Sequence, residues 1–261
     1  MRLAIQHETH YEYSVPLRYT TQWLRLTPRA SPHQTVLQWA LQAPGPLFAQ
    51  RDAYGNDGHT WTLARQLRRG AIRAAGIVQT HDSPWLVDEP ALPSPLVYLR
   101  PTPLAPAHPA LAALGAAALA GGADEARLLA FADAVLARVP WRAGTTDVRT
   151  TAVEALALGA GVCQDHAHVF IAACRAHGLP ARYVSGYFYA PDAPALASHA
   201  WVDVCLDVHA RRWLSVDVTH RCLMDERHVR LAVGPDYAAC LPIRGVRHGG
   251  GREAMRVRVD I

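Results

Sequence analysis

The stretch Gly159-Ala160-Gly161-Val162-Cys163-Gln164-Asp165-His166-Ala167-His168 runs from a glycine-flanked turn into a helix with an apolar body. That helix is expected to reach His177, with Gly178 and Pro180 as its stop. Cys163 therefore occupies the first helical turn. Backbone N–H groups there lack intrahelical acceptors, and the positive end of the helix dipole favours a thiolate. The same N–H groups can hold the oxyanion of a tetrahedral intermediate. A cysteine taken alone is more often inert core, so its partners have to be sought further along the chain.

Strands follow, expected at Ala181 to Tyr189, His199 to Asp207 and Arg212 to Val218. In His199-Ala200-Trp201-Val202-Asp203-Val204-Cys205-Leu206 the apolar face is Ala200, Val202, Val204 and Leu206, which turns His199 to the other face. In Trp213-Leu214-Ser215-Val216-Asp217-Val218 the apolar face is Leu214, Val216 and Val218, which leaves Asp217 opposite. With a hairpin turn over Val208 to Arg211, His199 and Asp217 share one face as a diagonal pair, roughly 7–8 Å apart at the backbone. A carboxylate so placed can fix the imidazole tautomer while the imidazole takes the thiol proton. Singly, a His at a strand start is a surface residue and an Asp before Val-Thr-His is a turn former. Together with Cys163 they point to thiol-dependent acyl transfer, with Cys163 as nucleophile, His199 as base and Asp217 as the orienting acid.

Upstream of this region, Leu128, Phe131, Val135 and Val139 form a helical stripe that Pro140 ends. Thr151-Ala152-Val153-Glu154 reads as a capping box opening a short helix. Helices followed by an antiparallel sheet predict an α+β fold. Residues 1–100 differ, carrying short β-branched and aromatic runs such as Thr35-Val36-Leu37-Gln38-Trp39 and Ile72 to Val78. Asp52-Ala53-Tyr54-Gly55-Asn56-Asp57-Gly58 supplies a turn between two of them. The division expected is a β-rich domain over 1–100, a Pro-rich linker over 101–109, the site-bearing core over 110–225 and a C-terminal β extension over 226–261.

Half of the 261 residues are hydrophobic and 18% are charged, which suits a folded chain with a sizeable core. The net charge of +4 is spread along the sequence, so nucleic acid is not an expected partner. No stretch has the length of a membrane span, and the N-terminus lacks the apolar core of a signal peptide. Five cysteines, an odd number without repeating spacing, suit a reducing compartment; a cytoplasmic location is expected.

These motifs resemble the core of bacterial transglutaminase-like proteins. The match runs from Gly161 to His168, through Gly178-Leu179-Pro180-Ala181-Arg182-Tyr183-Val184-Ser185-Gly186-Tyr187 and Ser198-His199-Ala200-Trp201-Val202, to Asp217-Val218-Thr219-His220. His7 to Tyr13, Leu24 to Arg29 and Asp52 to Asn56 are similar to the β domain that precedes this core in bacterial members, and Arg227 to Tyr237 to their C-terminal continuation. The resemblance implies a papain-like core with a Cys-His-Asp triad on Cys163, His199 and Asp217. Two positions depart from it: His166 stands where many relatives carry an aromatic residue, and Trp141 where a Tyr is expected. Gln164, Asp165, His166, Trp201 and Trp141 are the supporting candidates, with Asp165 and His168 bonding the helix in place.

A zinc site on Cys163, His166, His168 and Cys174 is disfavoured, because the two cysteines lie roughly 16 Å apart along a helix and zinc ligands sit at about 2.0–2.3 Å from the metal. No EF-hand loop occurs, and no metal or cofactor is expected. Relatives with this core are more often peptidases or amidases than crosslinkers, so the expected reaction is hydrolysis of a peptide, isopeptide or amide bond. Protein-glutamine transamidation and a non-catalytic peptide-binding scaffold are the alternatives. The partner implied is a peptide or protein substrate, with a homo-oligomer left open.

Overall fold

The computed structural model describes residues 1–191 and 198–261. Two antiparallel sheets and five helices make up the described residues. The first sheet is built on β1 (Arg2–Leu24), joined by β2 (Gln34–Gln42), β3 (Leu47–Arg51), β4 (Asp57–Leu63) and β5 (Leu67–Thr80) in the order β2-β5-β1-β4-β3. Pro16 has no N–H to donate, and it falls where the ladder to β5 skips from Glu12 to Leu17. Before this break β1 pairs with β5, which meets it again only at Leu17; from Thr20 to Leu24 it pairs with β4. Tyr11, Tyr13 and Ile72 from one half then share a core with Leu24, Trp61 and Leu63 from the other.

The second sheet contains β6 (Trp85–Val87), β7 (Ala181–Phe188), β8 (Ser198–Asp207), β9 (Arg212–Asp217), β10 (Cys222–Leu223) and β11 (His228–Gly234). Its order is β10-β9-β8-β7-β11, with β6 also on β9. The helices α1 (Pro109–Leu119), α2 (Glu125–Arg138), α3 (Ala152–Leu158) and α4 (Cys163–Ala176) precede its main strands, and α5 (Tyr237–Cys240) follows. Every residue of α4 from Asp165 to Arg175 is buried, the polar Asp165, His166, His168 and Arg175 included. This is the α+β packing of helices on an antiparallel sheet expected from the sequence.

Two segments lie elsewhere than the sequence pattern suggested, and one helix gave no periodic signal. The stretch 226–261 divides between the sheets: β11 pairs with β7, whereas β12 (Ile243–Gly249) and β13 (Glu253–Asp260) return to the other edge of β1. Period-2 alternation identifies a strand but not the sheet it joins, and this pairing spans most of the chain. Trp85–Val87, within the 1–100 stretch, belongs to the second sheet through β9. The Ala-rich stretch after the Pro-rich segment is α1, opened by Pro109 with His108 as cap; its apolar residues leave no polar face to betray a helical period.

The first sheet's domain also covers the outer edge of β11. Gln34 bonds both the N–H and the C=O of Arg230, at 2.8 and 2.9 Å. Asn56 brackets Val233 in the same way, at 2.7 and 2.8 Å. His33 Nε2 donates to the His228 carbonyl at 2.8 Å. An edge strand that would otherwise expose unpaired backbone is thereby satisfied by side chains. No helix among the described residues is long and apolar enough to cross a membrane.

Candidate active site

Local chemistry starts α4 at Cys163. Val162 is extended and offers no polar side chain to cap the helix. Asp165 reaches back instead, its Oδ2 accepting the Val162 N–H at 2.8 Å, which is half of a capping box. The same oxygen accepts Thr146 Oγ1 at 2.7 Å and so ties the preceding loop to the helix. Burial raises the Asp165 carboxyl pKa, opposed by these two donors. Gly161 leaves room for that side chain, since a Cβ there would lie 2.7 Å from Asp165 Cβ. Cys163 itself is half-buried. Gln164 is half-buried too, with its Nε2 covered and unpaired.

β8 and β9 bring the other two groups. Val202 pairs with Val216 and Asp203 with Ser215, a register that sets Trp201 across from Asp217 and makes His199 its diagonal neighbour. His199 Nε2 donates to Asp217 Oδ2 at 2.8 Å. That bond leaves Nδ1 clear of the carboxylate, and Cys163 is the neighbouring thiol that acts on the imidazole's charge. Burial disfavours a charged His199, yet Asp217 and then Cys163 outweigh it and raise the imidazole pKa to about 10. The pair is therefore arranged as imidazolium and carboxylate out of water.

Asp217 Oδ2 is shared by two more imidazoles. His220 Nδ1 donates to it at 2.7 Å and His228 Nε2 at 3.0 Å, while Oδ1 accepts the backbone N–H of His220 at 3.1 Å. Burial alone would raise this carboxyl; His199, His220 and His228 hold it well below the usual carboxylate range. Phe188 closes one side, with ring centroids 4.1 Å from His220, 4.7 Å from His228 and 5.3 Å from His199.

Trp201 stacks on His199 at 5.9 Å and donates its Nε1 to Ser215 Oγ at 3.1 Å. Ser215 in turn donates to Asp203 at 2.6 Å, and Asp203 also receives Arg182 and Arg230. The indole is thus fixed from behind by a buried ionic network. Gly186 makes the space it needs: a Cβ there would sit 2.5 Å from the Trp201 ring and 2.1 Å from the Val229 carbonyl oxygen.

His166 points beneath the site. Its Nε2 donates to the Val139 carbonyl at 2.9 Å, its Nδ1 accepts Thr219 Oγ1 at 3.0 Å, and burial pushes it down to about 4, so it is neutral. It braces α4 between the end of α2 and the turn after Asp217. Trp141 is half-exposed and its backbone bridges to Gly161, two residues before the cysteine. His168 accepts the Tyr237 N–H at 3.2 Å and Cys174 is fully buried, so the two histidines weighed for zinc go to separate partners. All five cysteines are unpaired.

His220 and His228 carry no candidate role in the sequence reading. For His220 a signal existed, because an Asp three residues before a His can take its N–H and its ring together. For His228 none did, since β11 reaches the site only through tertiary pairing with β7. Two groupings, His199–Asp217–His220 and Asp217–Cys222–His228, bring three ligand-type atoms within 4.8 Å of one another. In each, the nitrogen atoms already donate to the Asp217 carboxylate, which accounts for the clustering.

Comparison with known proteins agrees with this architecture. The Transglutaminase-like superfamily matches residues 116–218, and the Bacterial transglutaminase-like N-terminal region matches residues 3–79. An uncharacterized protein of Mycobacterium tuberculosis is 30% identical over 291 residues, covering 100% of this chain and 92% of its own. One from Mycobacterium leprae is 27% identical over 278 residues, covering 100% and 98%. Among solved structures, a Cytophaga hutchinsonii protein proposed to be a cysteine protease superposes with a TM-score of 0.72 at 21% identity, over 99% of this chain and 91% of that one. That last likeness is one of fold.

Proposed function

The chain belongs to the bacterial transglutaminase-like family, and from that premise we propose that it is a thiol-dependent hydrolase acting on a peptide, isopeptide or side-chain amide bond. One observation carries the reading: a buried carboxylate holds His199 at 2.8 Å, beside a cysteine that opens a helix. The chemistry follows from the atoms. Nδ1 of His199 holds the proton taken from Cys163, so that the pair rests as thiolate and imidazolium, and the thiolate attacks the carbonyl carbon. Unused N–H groups of the first turn of α4 hold the oxyanion. The imidazolium then gives its proton to the leaving amine, the C–N bond breaks, and a thioester remains on Cys163. Water, deprotonated by His199, releases the acid and regenerates the thiol.

Asp217 keeps Nε2–H pointed away from the thiol, so that Nδ1 is always the atom presented to it. Hydrolysis is favoured over transfer to an amine because Cys163 is half-buried and the His220 side chain beside His199 keeps 31% of its surface in water. Water therefore has access to the thioester. A retired binding scaffold has no use for a charged, buried His–Asp pair, and burying it without function is costly.

The test uses the whole chain with reporter peptides carrying glutamine or an isopeptide bond, with and without a primary amine. Release of ammonia or of a new amine, absent in Cys163→Ala and not diverted into an amine conjugate, is the expected result. Conjugation that outruns hydrolysis would make the protein a transamidase. No turnover together with no preferential iodoacetamide labelling of Cys163 would remove the enzyme reading.

A further inference from the structure

β11 brings a second imidazole under the site. His228 is completely buried, and each of its ring nitrogens faces an acid: Nε2 lies 3.0 Å from Asp217 Oδ2 and Nδ1 3.1 Å from Asp225 Oδ1. Three imidazole donors meet at one carboxylate oxygen, but only His228 continues to a second carboxylate. Its main chain is fixed as well, because His33 of the first domain donates to the His228 carbonyl and Gln34 holds the backbone two residues on.

We propose that His228 is a positioning residue for the Cys163–His199 pair: as an imidazolium bridging Asp217 and Asp225, it fixes the carboxylate that orients His199 and offsets its charge. This rests on the hydrolase reading above.

The surroundings bear on its charge. Asp217 and Asp225 are the acids that face it. The Asp225 N–H also points at Nδ1, at 3.1 Å, and suits a neutral ring. Arg227 binds Asp225 from the outer side and draws off part of that acid's charge. From β8, His199 repels a further positive charge, at 6.3 Å between centroids, and from the turn after β9 His220 Nδ1 sits on the same Asp217 oxygen. Cys222 of β10 has its thiol pushed up to about 12 by burial and by Asp217, so it stays uncharged. His33, pushed down to about 4 by burial, is neutral. Arg230 is committed to Asp203. Burial weighs against the cation at His228, but the hydrogen bonds and charges of Asp217 and Asp225 outweigh it and raise its pKa.

The role separates into a hydrogen bond and a charge, and two variants divide them. His228→Gln keeps an N–H donor for Asp217 without the charge. His228→Leu keeps the bulk and loses both. The readout is the pH profile of iodoacetamide labelling at Cys163, followed by peptide mass spectrometry, with Tm measured alongside. His228→Gln is expected to label within about threefold of wild type at the plateau, with the acid limb moved up by about one to two pH units, the effect of removing a unit charge about 6 Å or more away at an effective dielectric of about 20. His228→Leu is expected to lose tenfold or more in plateau rate.

A purely structural side chain would lower the plateau or the Tm and leave the limb in place. Should the Leu variant not fold, His228→Gln alone decides, since its limb is read against wild type without the Leu variant. Preferential Cys163 labelling in wild type with unmoved limbs in the variants would overturn the role of His228 alone. Absence of preferential labelling in wild type would overturn the hydrolase reading and this proposal together.

Discussion

Replacing Asp217 by Asn tests the centre of the site with almost no change of shape. The two side chains of the pair keep 5% and 0% of their surface, so solvent screens their interaction little. With charge centres roughly 4 Å apart and an effective dielectric of about 20, the attraction is about 4 kcal/mol, or about three pH units on the imidazole. His199, now raised to about 10, is therefore expected to titrate near about 7 in the variant. The amide adds a geometric fault. Three imidazole N–H groups converge on Oδ2 and a backbone N–H on Oδ1, and an amide has only one acceptor oxygen to offer. Either the His220 backbone or the imidazole cluster meets an NH2 group, which invites the wrong tautomer of His199. Loss of turnover by about 10^3- to 10^4-fold is expected.

The assay is turnover and Cys163 labelling from pH 5 to pH 11, in wild type and variant. The sign for stability is fixed too. A raised imidazole pKa stabilises the fold fully below its unfolded value of 6.5, and that contribution is lost as pH rises through about 10. Wild-type Tm is thus expected to decline between these limits more steeply than that of the variant. Wild-type turnover in Asp217→Asn, with an alkaline limb still near about 10, would refute the reasoning.

Three further substitutions separate chemistry from support. Cys163→Ala is expected to abolish turnover with little change in Tm, because the site is half-buried and Ala is a strong helix former; an unfolded variant in circular dichroism would make the thiol structural. Asp203→Asn leaves Arg182 and Arg230 without their shared acid, at a cost of about 3–5 kcal/mol, which lowers Tm by about 6–20 °C in calorimetry. A Tm unchanged within a degree would show that the network adds nothing. Gln34→Ala strips two partners from the backbone of Arg230 and is expected to cost about 2–4 kcal/mol. Amide exchange along 228–234 should then rise more than in α4, and uniform protection would contradict the edge-covering role.

How far the sequence could be read follows from the range of each interaction. Elements whose reasons are local came through with their boundaries: the capping box of Thr151 and Glu154, the helix opening at Cys163, and the strands of His199 and Asp217. The diagonal pairing of those two strands was legible because the hairpin between them is short. What was not legible depends on partners far along the chain. β12 and β13 pair with β1 across more than two hundred residues, and nothing in Arg256-Val257-Arg258 names its neighbour. His166 shows the same limit from the other side. The spacing that brought it one turn from Cys163 also allowed it to point beneath the site, and only the carbonyl of Val139 decides which.

The first domain is linked to the candidate site through a single strand edge. A sheet ending at β11 would leave one edge unpaired and His228 on a strand free to fray. Gln34, His33 and Asn56 remove that freedom by bonding the main chain at Arg230, His228 and Val233. β11 therefore behaves as an interior strand although no strand lies beyond it. Its side chains then meet the site from below, where His228 reaches the oxygen that also holds His199. A domain packed on the edge of the sheet is thus joined to the carboxylate that holds His199, through one strand and one shared oxygen.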